Sequence, residues 1–261
     1  MKKGGPAVEV RMQRLGYDDK TVLEKTYFRL EKGSVTALIG PNGSGKTTLL
    51  KALTGLHADF DGEIYYNGLN FKDFEKEALG RQVAVVLTSP VVTPMRVYEV
   101  IASGRFPYVN RLNMLSERDK HYIEEISRRL GLLSYWNRPV TSLSDGERQR
   151  VMVARAWVQD TPVMVLDEPD THLDVAHRAE LLLLLKEAAS EGKTVLFSTH
   201  YLDLFYDIVD NLLILNNKKL WQGRVEEALS QDKFQEVFGN ELIKFDKKRR
   251  VFLFHDETGG Q

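Results

Sequence analysis

Two kinds of apolar pattern divide this chain. In the first, apolar and polar positions alternate: Val8, Val10 and Met12 are separated by Glu9 and Arg11 on the way to Tyr17, and a second run follows over Thr21–Leu30. Alternation sends successive side chains to opposite faces, so these stretches predict antiparallel strands with one solvated face. Phe60–Tyr66 followed by Asn67-Gly68 predicts a hairpin at a sheet edge. The second pattern is continuous. Val35-Thr36-Ala37-Leu38-Ile39, Val83–Leu87, Val163–Leu166 and Val195–Phe197 are short apolar runs, each joined to a helical pattern. Strands apolar on both faces belong to a parallel sheet covered by helices.

Between Pro94 and Gln159 the period becomes helical. Ser116-Glu117-Arg118-Asp119 opens a helix with Ile123, Ile126 and Leu130 on its apolar face and Gly131 as its stop. This reads as a helical insert, about 94–159, within one domain spanning 1–261. Past Asn211 the pattern gives a strand, a turn at Asn216-Asn217, two short helices and a hairpin carrying Lys247-Lys248-Arg249-Arg250, read as a solvated turn. The predicted class is α/β, with a mostly parallel core sheet, an antiparallel β subdomain and the helical insert.

Composition narrows the function. Lys and Arg (36) balance Asp and Glu (37), so no global basic field exists to bind nucleic acid, and none is expected as a partner. With no cysteine, thiol catalysis and cysteine-ligated metals are excluded. Basic residues at the start are not followed by an apolar stretch, so no signal peptide is expected. The longest strongly apolar run, Leu181–Leu185, is far short of the roughly 20 residues a membrane span needs. Any membrane role must come through a partner.

Two segments carry chemistry. Gly40-Pro41-Asn42-Gly43-Ser44-Gly45-Lys46-Thr47 has the spacing GxxxxGK[ST] between an apolar strand and a helix. Its glycines allow backbone N–H groups to point at phosphate oxygens, Lys46 adds a positive charge, and the Thr47 hydroxyl can ligate Mg2+. The helix N-terminus adds partial positive charge. Val163-Met164-Val165-Leu166-Asp167-Glu168 is a strand ending in two acids. Asp167 is placed to reach the same Mg2+, and Glu168 to orient water or accept its proton. A third segment, Leu143-Ser144-Asp145-Gly146-Glu147-Arg148-Gln149-Arg150, admits two readings. Ser144 and Glu147 have capping-box spacing, which describes a well-capped helix; the same helix start can also present Ser144 and backbone N–H groups to a phosphate.

Together with Ser198-Thr199-His200, these segments resemble the ATP-binding subunits of ABC transporters over nearly the whole chain. The resemblance implies ATP and Mg2+ as ligands and a head-to-tail homodimer of ATPase subunits. It makes Leu143–Glu147 the signature, with Ser144 and Gly146 acting on the partner's ATP, and His200 the sensor of the γ-phosphate. Thr171-His172-Leu173-Asp174 becomes the D-loop, Tyr17 the aromatic stacked on adenine, and Thr48 a further nucleotide contact. It also implies a polytopic permease partner, an extracytoplasmic binding protein acting indirectly, and a place on the cytoplasmic face of the membrane.

Three positions depart from the family pattern. Asp145 and Glu147 bring acids into the signature and must point away or pair with Arg148 or Arg150; Asp170 stands where Thr or Ser is usual; Thr88 stands where a glutamine touches the metal and water. Thr88 is therefore expected to reach Mg2+ through a water. Gly104-Arg105-Phe106-Pro107-Tyr108 resembles a stretch of importers for ferric siderophores, haem and cobalamin, with related sequences in zinc and manganese importers. The alternatives are an ABC ATPase acting on ribosomes or DNA, and a scaffold that binds ATP without turnover.

Overall fold

Alternation does produce antiparallel pairing at the start of the chain. β1 (Val8–Tyr17) pairs with β2 (Lys20–Leu23) near its end and with β3 (Thr26–Leu30) along its first half, so the run expected over Thr21–Leu30 is two strands. The computed structural model describes residues 5–18, 20–57, 59–87, 93–109, 114–171, 173–202 and 205–254; Thr88 and His172 lie outside the described residues. After β4 (Val35–Ile39) and α1 (Lys46–Leu53) come β5 (Phe60–Tyr66) and β6 (Leu69–Asn70). β5 and β6 form the hairpin expected at a sheet edge, with β6 the outer strand of a five-stranded sheet. β5 pairs with β1 along its whole length on one side and with β6 at Tyr65 and Tyr66 on the other.

Next come α2 (Lys76–Leu79), β7 (Val83–Val86), α3 (Val97–Ala102), α4 (Glu117–Arg129) and α5 (Asp145–Val158). They are followed by β8 (Val163–Leu166), α6 (Val175–Ser190), β9 (Thr194–Ser198), β10 (Asn211–Asn216) and β11 (Lys219–Gly223). α7 (Val225–Ser230), α8 (Lys233–Phe238), β12 (Ile243–Asp246) and β13 (Val251–Phe254) complete the order. The second sheet is six-stranded, β11-β10-β4-β9-β8-β7, parallel except for the β10–β11 hairpin.

The continuous apolar runs are explained by two cores. Val35, Ala37 and Ile39 of β4 pack with residues such as Ile101, Ile126, Trp157 and Leu185 from α3, α4, α5 and α6. Leu38, on the opposite face, packs with Leu49 and Leu53 of α1 and with Val8, Val10 and Met12 of the antiparallel sheet. A strand with both faces covered has no position for a solvated side chain. This topology also aligns strand ends. β10, β4, β9 and β8 are adjacent and parallel, so Asn216, Gly40, Ser198 and Asp167 all emerge at the carboxyl edge of one sheet. Ligands of open α/β sheets bind at that edge.

The helix caps follow local chemistry. Ser116 and Asp119 form a reciprocal capping box at α4, with the Asp119 amide donating to Ser116 Oγ at 3.1 Å and the Ser116 amide to Asp119 Oδ2 at 3.0 Å. The basic hairpin turn is solvated, with Lys247 paired to Asp232, Arg249 to Asp246 and Arg250 to Asp207 at the surface.

Candidate functional site

The loop between β4 and α1 depends on a glycine where it meets β2. Gly45, which caps α1, has φ 107°, and a Cβ there would lie 2.0 Å from Val22 Cγ1. Both the conformation and the space exclude a side chain. The next residue, Lys46, is buried, and its Nζ donates to the carbonyls of Gly40 at 2.9 Å and Pro41 at 3.2 Å. Burial pulls its pKa down from the ordinary lysine value, while the carboxylates of Glu168 and Asp167 oppose that shift. Ser44 Oγ is buried without a hydrogen-bond partner among the described residues.

A cavity of about 570 Å³ opens over this loop, bounded by Pro41–Thr48, Tyr17, Lys20–Val22, Glu168, His200 and the Asn216–Lys218 turn. Tyr17 is 44% exposed, so one side of its ring is open to solvent. Its hydroxyl accepts from Thr48 Oγ1 at 3.2 Å, and its ring centroid lies 4.4 Å from that of His57. His57 Nε2 donates to the Gly16 carbonyl at 2.6 Å, which fixes the backing ring.

The acids come from the end of β8. Asp167 is 1% exposed, and its Oδ1 accepts from Ser198 Oγ at 2.7 Å. The Glu168 amide donates to the same Ser198 Oγ at 2.8 Å, and Glu168 has φ 48°. That left-handed turn carries the Glu168 carboxylate to His200, whose Nε2 lies 2.5 Å from Oε1. Thr47 lines the cavity, and Asp167 follows β8 at the same sheet edge without itself entering the cavity wall; both offer oxygen donors. Such a sparse set fits Mg2+, which keeps waters and phosphate oxygens as its other ligands.

The sequence reading thus finds Tyr17, the loop from Pro41 to Thr48, Glu168 and His200 around one cavity. Ser144 and Gly146 are not in its walls. They start α5, where the Ser144 amide donates to Glu147 Oε2 at 2.8 Å and Ser144 Oγ donates to the same oxygen at 2.9 Å. The backbone hydrogen bond from Ser144 is the main reason the Glu147 carboxyl sits below the usual glutamate range. Asp145 pairs with Arg148, as the departure from the family pattern requires. Gly146 packs against Leu173, whose Cδ2 would be 3.0 Å from an added Cβ.

The Gly104–Tyr108 stretch forms a 3-10 turn pressed on the end of α5, where a Cβ on Gly104 would lie 2.2 Å from the Arg155 carbonyl. Arg105 is a buried clamp. Its Nε donates to Asp119 Oδ1 at 2.8 Å, its Nη1 to the Val158 carbonyl at 2.9 Å, and its guanidinium lies 4.2 Å from the Tyr108 ring centroid. Phe106 alone projects from the stretch, 67% exposed.

Local patterns missed part of the cavity wall. Lys20, Val22 and Lys218 reach it only because β2 folds back on β1 and the Glu24 amide donates to the Lys218 carbonyl, 2.9 Å away. No short-range signal announces such a pairing.

Comparison with known proteins follows the same lines. The family model described as ABC transporter matches residues 23–171. The chain is 36% identical over 235 residues to the achromobactin transport ATP-binding protein of Dickeya dadantii, covering 89% of this chain and 87% of that one. It is 35% identical over 210 residues to a manganese transport system ATP-binding protein of Synechocystis sp., covering 80% and 81%. A solved structure of the ATP-binding subunit of an ABC transporter superposes with a TM-score of 0.77 at 28% identity, covering 89% of this chain and 98% of that one.

Proposed function

The chain belongs to the ABC transporter family of ATP-binding proteins, and on that premise we propose that it powers an importer of an iron chelate (ferric siderophore or haem) or cobalamin. It is an ATPase subunit, converting ATP and water to ADP and phosphate in step with transport. The observation that carries the site reading is the shared cavity: the phosphate-type loop, Glu168 and His200 face the same space.

In this reading the amides of Gly40–Thr47 surround the phosphates and Lys46 exchanges its loop carbonyls for phosphate oxygens. Thr47 and Asp167 would hold Mg2+, whose charge neutralises the phosphate oxygens. Glu168 orients the attacking water and accepts its proton, and His200 turns from Glu168 to the γ-phosphate. Tyr17 provides a face for adenine, and Thr88, which lies outside the described residues, would assist the metal through a water. Ser144 and Gly146, which do not line their own cavity, serve the ATP of a second copy. Positions 1–261 form one ABC-type ATPase domain, and the insert at about 94–159 meets a polytopic permease through its Arg96–Tyr108 surface.

No helix of the described residues is long and apolar enough to cross a membrane. The likeness to transporter ATP-binding proteins supports a peripheral place on the cytoplasmic face through that permease. An extracytoplasmic binding protein supplies the solute indirectly. The achromobactin relative and the Gly104–Tyr108 stretch favour a chelate; the manganese relative, at similar identity, supports a metal-ion importer as the second reading. Glu168→Gln with saturating ATP should bind nucleotide, stop turnover and accumulate dimers in light scattering. A variant that stays monomeric would remove the in-trans role of Ser144. Uptake assays in a deletion strain separate the solutes: loss of siderophore, haem or cobalamin uptake supports the chelate, and loss of manganese uptake alone refutes it.

A further inference from the structure

Three consecutive residues at the end of β9 each hold a carboxylate from the end of β8. Ser198 holds Asp167 and His200 holds Glu168, as described above. Between them, Thr199 Oγ1 donates to Asp170 Oδ2 at 2.5 Å and accepts the Tyr201 amide at 2.9 Å. The Thr199 amide donates to the Leu38 carbonyl at 3.2 Å, which ties this turn to the strand that delivers the phosphate loop. Asp170 and Thr199 are 2% and 1% exposed and are not among the residues that line the cavity.

The acid at 170 sets the direction of this relay. An ionised carboxylate only accepts, so the Thr199 hydroxyl must donate to it and keep its lone pair for the Tyr201 amide. Thr or Ser at 170, usual in the family, would leave that direction open. The arrangement is costly, because Asp170 Oδ1 is buried without a partner among the described residues. Burial accordingly raises the Asp170 pKa, against the Thr199 hydrogen bond and the charge of Arg178. The far side of the same turn is also held: the Arg178 guanidinium lies 3.5 Å from the Tyr201 ring centroid. His200 stands between two fixed neighbours.

We propose that Asp170 and Thr199 are positioning residues for ATP hydrolysis, their hydrogen bond fixing the turn that aims His200 at Glu168 and the terminal phosphate. This rests on the roles given above to Glu168 and His200. It does not require either positioning residue to contact substrate.

The test is steady-state hydrolysis and equilibrium ATP binding by the full chain. Thr199→Val, which keeps the shape and removes the hydroxyl, and Asp170→Ala should each lower kcat about tenfold while leaving ATP affinity within about twofold. Thr199→Ser should retain wild-type turnover, and the double variant should be no slower than the slower single one. The His200 imidazole resonances, identified by their loss in His200→Gln, should shift in Thr199→Val and stay in place in Thr199→Ser. If Thr199→Val does not fold, Thr199→Ala against Thr199→Ser makes the same comparison. Wild-type turnover in Thr199→Val, equal loss in Thr199→Ser, or additive effects of the two single changes would overturn the inference alone. A wild-type chain that binds ATP without hydrolysing it would overturn the roles of Glu168 and His200 as well.

Discussion

Lys46 Nζ lies 2.9 Å from the carbonyl oxygen of Gly40, the first residue of the loop it serves. The His200–Glu168 contact has the same character, since each group satisfies the other at 2.5 Å. Both cationic donor and acid are thus engaged within the chain, and a nucleotide must displace these contacts to use them. Lys46→Met should keep the stem of the side chain and lose the charge, lowering kcat/KM for ATP by about two to three orders of magnitude. Phosphate-release assays over a range of ATP concentration measure this; a loss below about tenfold would contradict the assigned role.

Gly45→Ala should destabilise the loop by about 1–3 kcal/mol, through positive φ and collision with Val22. Adding Val22→Ala removes the collision and leaves the backbone strain, so it should recover part of the loss. Thermal unfolding of the three variants decides between the two causes. Full recovery would assign the whole effect to packing.

Tyr17→Ala should weaken ATP binding by about 1–3 kcal/mol, the range for loss of one base–aromatic stack. Tyr17→Phe keeps the ring against His57 and loses only the Thr48 hydrogen bond, so its affinity should fall by no more than about 1 kcal/mol. Calorimetric titration with ATP distinguishes them. Equal affinity in Tyr17→Ala and wild type would show that the ring is not the base platform.

Arg105→Ala should cost about 3 kcal/mol, because it leaves the Asp119 carboxylate buried without its guanidinium. Arg105→Lys should recover little, since an ammonium cannot replace the fork that holds both Asp119 and the Val158 carbonyl. Burial alone would raise the Asp119 pKa, but hydrogen bonds from Ser116 and the Arg105 charge outweigh it and hold the carboxyl below the usual aspartate range. The sign follows: this stability is present above the unfolded value of about 3.9 and is lost as pH falls through the lower folded value. Urea unfolding should therefore show the gap between wild type and Arg105→Ala closing below about pH 4. A gap independent of pH would assign the effect to packing on Tyr108.

What the sequence made legible was what is local. The glycine loop, the Asp167-Glu168 strand end and the Ser116 and Ser144 capping boxes are short-range signals, and they appear where the spacing puts them. The break of Thr21–Leu30 into two strands was not legible, because both halves alternate and only pairing with different parts of β1 separates them. Asp170 could be seen as unusual but not explained, since Thr199 is 29 residues away. The same holds for the basic hairpin, whose charges find Asp232 and Asp207 only in the folded chain.

The 14 residues of α5 place Ser144 at one end and the Arg105-held Val158 carbonyl at the other. At 1.5 Å per residue the helix is about 21 Å long. A rigid tilt of about 10° about the clamped end would carry the opposite end through about 4 Å, more than the length of a hydrogen bond. On the proposed role of Ser144 at a second copy's ATP, a small displacement near Phe106 would then be enough to make or unmake its contact with a phosphate.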